Sequence, residues 1–224
     1  MNNADRSEIP RVSNHGFPGF VPGWVLLEIR KWAGSRARQP HLRTVLSGPA
    51  GDGSSYRVKE GTIEIRILKI VLVIFVGLLA LFFAAANIAN WGPGLWAVAY
   101  VLGMEAHDYY TNRIFLPITN PVLVTTAYVV IIAGELLVGV LSLKGAWDLW
   151  CKRKGRAYEF NSAKTFAILG CGMAVVVWFG GFMVFGGGLF QIWQSDVGAG
   201  SFRDAFTVAV TSGIIMLFLN NPDP

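Results

Sequence analysis

Four long apolar runs, separated by polar stretches, dominate residues 64–224 of the chain. Their approximate limits are residues 70–88, 122–143, 165–185 and 204–219. A helix needs about 20 mostly apolar residues to cross the hydrocarbon of a bilayer, and the first three runs meet that length. The fourth run is short, so we expect its helix to begin in the preceding polar segment or to meet a locally thinned bilayer. The pattern therefore predicts an all-α integral membrane four-helix bundle.

Residues 1–63 have a different composition, with Gly-, Pro- and Ser-rich pieces that cannot bury enough apolar surface to fold alone. No apolar run follows Met1, so we expect no signal peptide. Residues 24–33 alternate apolar and charged positions at helical spacing, with the apolar anchors Trp24, Val25, Ile29 and Trp32. We therefore expect a mostly irregular cytoplasmic extension containing one short amphipathic helix at the membrane interface. Docking of this helix onto a partner or onto the bundle would explain the pattern equally well.

The distribution of basic residues predicts the orientation in the membrane. Of the 19 Lys and Arg residues, 11 precede Ile70 and six lie between Lys144 and Lys164. Because loops rich in Lys and Arg stay in the cytoplasm, we expect a multi-pass protein of the bacterial inner membrane with cytoplasmic N- and C-termini. A composition of 53% hydrophobic and 15% charged residues also excludes a soluble globular enzyme, a disulfide-stapled secreted module and an acidic disordered chain.

Glu135 interrupts the second apolar run and is the most informative single residue. A carboxylate near the middle of a span costs several kcal/mol, roughly, unless it is protonated, paired or hydrated. One interpretation is a proton-relay or ligand group that faces the interior of the bundle. The other is a hydrogen-bonded Glu that pins helix packing through a polar side chain of a neighbouring helix. Position alone does not separate the two.

The loop between the first two spans contains three candidate metal ligands: Glu105, His107 and Asp108. Their spacing matches no established metal motif, so a polar turn at the outer interface is the favoured interpretation. A membrane enzyme that acts at the outer face through these residues is the weaker alternative. The chain has no histidine in the four runs for axial haem ligation. We therefore expect no enzymatic activity, metal or cofactor, while bound lipids or pigments held by a partner stay open.

Small residues form stripes on two of the spans. Those of the first span are Gly77, Ala80 and Ala84, and those of the third are Gly170 and Ala174. Such stripes let helix backbones approach closely, within the bundle or against another chain. The basic loop at residues 152–156 can bind anionic lipid headgroups, but its role in setting the orientation is enough to explain it and is the favoured interpretation. Nucleic acid is not expected as a partner, because no folded reader or stacking platform accompanies the basic residues.

From residue 66 to residue 219 the chain resembles a bacterial family of predicted small integral membrane proteins of unknown function. The residues that carry the resemblance are Trp96, Val101 to Glu105, Glu135, Phe160, Ala163, Lys164, Trp178 to Phe182, Phe190 to Ser195, Ala205 and Phe206. The chain departs from the family pattern at Tyr100, where members tend to have His, and at Gly188 and Leu189, where they have an acidic residue and Trp. The resemblance implies a four-helix inner-membrane domain, to which residues 1–63 are an addition, and it implies no activity.

These observations lead to two functional expectations. The first is a non-catalytic accessory subunit of a larger inner-membrane complex, respiratory or photosynthetic, whose partners are other integral membrane subunits and anionic lipids. Its basis is the pair of small-residue stripes and the long basic extension. The alternative is a small proton-linked transporter or permease in which Glu135 is the working group.

Overall fold

A computed structural model describes residues 60–105, 107–110, 112–113 and 115–224, and this part of the chain is helical without strands. Its helices are α1 (Glu60–Ala89), α2 (Trp91–Leu102), α3 (Pro121–Lys152), α4 (Ala157–Ser162), α5 (Thr165–Val175) and α6 (Asp196–Asn220). A π-helical segment, Val176–Leu189, continues α5, and a 3-10 turn, Ile192–Gln194, precedes α6. The predicted interfacial helix, with Trp24, Val25, Ile29 and Trp32, lies outside the described residues.

Four helical stretches are long and apolar enough to cross a membrane, which confirms the predicted all-α four-span architecture. They are Thr62–Ala89, Pro121–Lys152, Ala157–Leu189 and Asp196–Asn220. At about 1.5 Å per residue, even the shortest stretch exceeds the roughly 30 Å thickness of a hydrocarbon core. The third stretch combines α4, α5 and the π-helical segment in nearly continuous helix.

The fourth helix begins earlier than the apolar run predicted. Helix α6 has 25 residues from Asp196 onward, so it begins in the preceding polar segment, which was one of the two predicted alternatives, and no thinned bilayer is needed. Ser195 supplies the start signal, because its side chain accepts a hydrogen bond from the backbone N–H of Gly198 at 3.0 Å. Asp196 in the first turn adds a favourable interaction with the helix dipole.

Helix α2 was not predicted, because Gly92, Pro93 and Gly94 mark its sequence as a loop. Proline is tolerated in the first turn of a helix, where the missing N–H has no intrahelical acceptor. Helix α2 packs on α3, and Gly94 lies directly against the ring of Tyr128, which leaves no room for a larger residue. The connection between the first two spans is therefore partly folded back onto the bundle.

The helices pack in the order α1, α3, α5 and α6, with α3 between α1 and α5. The predicted stripes lie inside this bundle: Ala80, Ala84 and Ala174 are fully buried, and Gly77 and Gly170 face α3. A Cβ atom on Gly170 would collide with Ser142 of α3. The stripes therefore serve packing between helices of the same chain.

Candidate functional site

The first candidate site is the intramembrane carboxylate of Glu135 on α3, which is only 2% exposed. The side-chain amide of Asn87, in the last turn of α1, donates to both carboxylate oxygens at 2.9 and 3.1 Å. Among the described residues no Lys, Arg or His side chain forms an ion pair with Glu135. The carboxyl group therefore relies on one amide for its polar contact.

Tyr128 completes a small polar network around the carboxyl group. Its hydroxyl donates to the backbone oxygen of Asn87 at 2.7 Å, and its ring makes an edge contact with Trp91 at 5.1 Å between centroids. Tyr128 and Glu135 lie seven residues apart, so both project from one face of α3. The network joins the end of α1, the start of α2 and the middle of α3.

The roles of Asn87 and Tyr128 were missed at the sequence level. Neither residue was among the candidate site residues predicted from the sequence. Two signals were present: a polar amide inside an otherwise apolar run, and a Tyr at i−7 from the intramembrane Glu135. Chemically, an amide N–H can donate to an ionised or a protonated carboxyl, so Asn87 can hold Glu135 in either state.

The second candidate site is an apolar cavity of about 570 Å³ in the half of the bundle that contains α2. Its walls come mainly from α2, α3, the π-helical segment and the start of α6, with single residues of α5 and the 3-10 turn. Of the described residues that line it, Ser201 alone has a polar side chain. Glu135 is not among the lining residues, although its neighbour Gly134 is. The cavity and the carboxylate are therefore separate features on two faces of α3.

The predicted outer cluster is not brought together. His107 is 5% exposed, and its Nε2–H donates to the carbonyl oxygen of Phe190 at 2.6 Å, whereas Glu105 and Asp108 are exposed. In the described part of the chain, no three His, Cys, Asp or Glu side chains are grouped as a metal site. The same turn is fastened by Gln194, whose side-chain oxygen accepts from the backbone N–H of Tyr110 at 2.9 Å.

A buried ion cluster lies at the opposite end of the bundle. The carboxylate of Asp223, which follows α6, pairs with Lys69 of α1 at 2.7 Å and with Lys164, next to α5, at 2.5 Å. Each of the three side chains is at least 95% buried. Only the local excess of basic residues was visible at the sequence level, because the pairing depends on the return of the chain after α6.

Arg66 extends this cluster along α1 and is fully buried. Its guanidinium donates to three backbone oxygens, those of Arg153, Gly155 and Pro224, at 2.8 to 3.0 Å. It also lies 4.7 Å from the ring centroid of Phe160 in α4. The first turns of α1 are thereby tied to the loop after α3, to α4 and to the segment after α6.

Comparison with known proteins agrees with this architecture. The sequence model of a family described as predicted small integral membrane protein matches residues 65–222, which contain all four spans except the first residues of α1. No curated protein and no solved structure matches the chain. The resemblance of residues 66–219 is thus confirmed over nearly the same range. The chain belongs to the family of predicted small integral membrane proteins.

Proposed function

We propose that this chain is a non-catalytic accessory subunit of a larger bacterial inner-membrane complex, respiratory or photosynthetic, with both termini in the cytoplasm. Its partners in this proposal are other integral membrane subunits and anionic lipids. The observation that carries the proposal is the set of buried hydrogen bonds and ion pairs made by Arg66 and Lys69. They hold the start of α1, where the basic extension joins the bundle.

Helix α1 begins ten residues before Ile70, where the first apolar run starts. Its buried cations bind three other segments, so this end of the helix is held in one position relative to the bundle. An extension that leaves from a fixed point can be directed along the cytoplasmic surface of a neighbouring subunit. Its basic residues add attraction to anionic headgroups of about 1 kcal/mol each near the membrane. Both contacts suit a subunit that holds other components together.

The test compares the full chain with a chain that begins at Ser55, the start of the compact unit that contains the bundle. Membranes containing each protein are extracted in a mild detergent, and the particle masses are measured by native mass spectrometry. We expect the full chain in a particle much heavier than a monomer, and the shortened chain as a free, inserted bundle. A full chain that stays monomeric, with its extension freely cut by protease, would overturn the proposal.

A second candidate function, a small proton-linked transporter or permease, is favoured by the geometry at Glu135. A carboxyl group buried at mid-span without a cationic partner among the described residues can take up and release protons. In proteoliposomes with a trapped pH indicator, this candidate predicts substrate-linked proton movement that Glu135→Gln abolishes while the protein stays inserted. If Glu135→Gln behaves as wild type and Glu135→Leu lowers only stability, the carboxyl group serves helix packing.

A further inference from the structure

The apolar cavity opens sideways toward the bilayer. Its rim contains Val130 of α3 together with Val176 and Phe185 of the π-helical segment, which are 62%, 60% and 59% exposed. These residues lie on the outer surface of two spanning helices, so they face hydrocarbon in the membrane. The wall residues Ala127 and Gly134 lie about 9 and 20 Å along α3 from its start, which places the cavity in one half of the bilayer.

Two glycines of the π-helical segment leave part of this space open. A Cβ atom on Gly180 or Gly181 would meet no other atom within 4 Å, and both residues line the cavity. They differ from Gly145 and Gly170, where a Cβ would collide with a neighbouring helix. Packing within the bundle therefore does not require glycine at these positions. The π-helical form itself is rare, and where it interrupts α-helices it is frequently at functional sites.

The chemistry of the walls restricts what can fill the cavity. Water needs two to four polar partners, roughly, and the described lining offers the single hydroxyl of Ser201. A ligand that buries a polar ring in the cavity would lack hydrogen-bond partners for the same reason. A partner helix, about 10 Å wide, needs a groove that is open along its axis. This cavity is bounded by Met173 toward the bundle centre and by Ile192 and Val197 at the α2 end.

We propose that the cavity is a binding site for one acyl chain of a membrane phospholipid. The chain enters between α3 and the π-helical segment and occupies the space beside Gly180 and Gly181, while its headgroup stays near Ser201 at the start of α6. Because lipid tails are as apolar as the walls, shape fit and dispersion contacts provide the affinity. The site does not depend on the role of the chain in a larger complex.

The test uses the full chain in vesicles of phosphatidylethanolamine and phosphatidylglycerol that contain a phosphatidylethanolamine with a photoreactive diazirine in one acyl chain. After illumination, crosslinked peptides are mapped by mass spectrometry. We expect crosslinks concentrated in residues 127–134 and 173–186, and several times weaker at Phe75 and Phe82. Those two α1 side chains are 61% and 67% exposed and report ordinary contact with the surrounding lipid.

A matched pair of variants tests the role of the glycines. A leucine side chain at position 181 would occupy part of the space where the acyl chain is proposed to lie, so Gly181→Leu should lower crosslinking of the cavity peptides about tenfold, or 1.4 kcal/mol. Gly188→Leu is the control, because Gly188 lies in the same π-helical segment, has open space around it and does not line the cavity. It should leave crosslinking unchanged.

Three results would overturn the proposal. The first is equal crosslinking at the cavity and at Phe75 and Phe82 in the unmodified chain, which remains decisive if Gly181→Leu fails to insert. The second is equal crosslinking in the Gly181→Leu and Gly188→Leu proteins. The third is protection of the cavity from the lipid probe by a copurified protein, which would make the cavity a protein interface.

Discussion

Individual glycines in this bundle have two different roles, and the space around each one distinguishes them. A Cβ atom on Gly145 would lie less than 3.0 Å from backbone atoms of Phe166 and Ala167, so glycine there permits the close approach of α3 and α5. Gly200, inside α6, has nothing within 4 Å of the same position. We therefore expect substitution by alanine to have opposite effects on stability at these two glycines.

We expect Gly145→Ala to lower the free energy of unfolding by about 1–3 kcal/mol, because backbone atoms of α5 must move to admit the methyl group. Gly200→Ala should instead raise it by about 0.5–1 kcal/mol, since alanine restricts the unfolded chain and favours helix. Both values can be measured by denaturation in mixed micelles. Equal effects of the two substitutions would contradict the assignment of Gly145 to a helix contact.

Asn87 is the residue on which the intramembrane carboxyl group depends. Asn87→Ala leaves Glu135 without a hydrogen-bond donor among the described side chains, so we expect a loss of about 1–3 kcal/mol in unfolding free energy. Asn90→Ala removes an exposed amide that bonds only to the carbonyl of Ala86, and it should change stability by less than about 0.5 kcal/mol. The same micelle denaturation measures both, and a neutral Asn87→Ala would show that Glu135 does not need this amide.

At the level of helices, the apolar runs were enough to find every span but not its ends. The start of α1 contains Lys69, whose buried charge is paired with Asp223 far along the chain. The polar first turn of α6 is capped by the Ser195 side chain, which accepts from the backbone N–H of Gly198. Hydropathy detects neither of these interactions. Helix α2 was missed because a Gly-Pro-Gly start resembles a loop until Tyr128 packs against it. The cavity was also beyond prediction, since its walls come from six helical elements.

The junction of α1, α5 and the segment after α6 depends on one carboxylate. Asp223→Asn keeps the shape of the side chain and removes the negative charge, which leaves Lys69 and Lys164 buried without an anionic partner of their own. We expect the free energy of unfolding to fall by about 3–5 kcal/mol, because a buried charge without a partner of opposite charge is costly. Thermal unfolding in detergent should report it as a markedly lower midpoint.

Asp148→Asn is the matched control for this cluster. Asp148 pairs with Lys144 four residues earlier on α3, and the two side chains are 27% and 50% exposed. Exposed pairs of this kind contribute about 0.3–0.5 kcal/mol, so the midpoint should hardly move. If both substitutions had the same small effect, the buried cluster would not fasten the helices.

At the scale of the whole bundle, the two ends differ in composition. One end holds the ion cluster of Arg66, Lys69, Lys164 and Asp223, and the other holds α2, the apolar cavity and the turn with His107. The distribution of Lys and Arg predicts that the first end faces the cytoplasm. In that predicted orientation, the proposed acyl-chain site lies in the outer leaflet and the basic extension is attached on the cytoplasmic side. The proposed acyl-chain site and the proposed contacts of the extension would therefore lie on opposite sides of the membrane.

The two free cysteines allow the orientation to be measured. Cys151 is exposed at the end of α3, whereas Cys171 is buried in the bundle and should not react. A charged maleimide cannot cross a bilayer, so we expect it to label Cys151 in inside-out membrane vesicles and not in intact spheroplasts.

In a Cys151→Ser background, Leu116→Cys introduces a thiol before α3 at a position whose side chain is 83% exposed. This thiol should be labelled in intact spheroplasts and not in inside-out vesicles. Labelling of Cys151 in spheroplasts would contradict the predicted topology. Labelling of Cys151 only in inside-out vesicles, and of the thiol at position 116 only in spheroplasts, would fix the direction of α3. The alternation of four spans would then place both Glu60 and Asn220 in the cytoplasm.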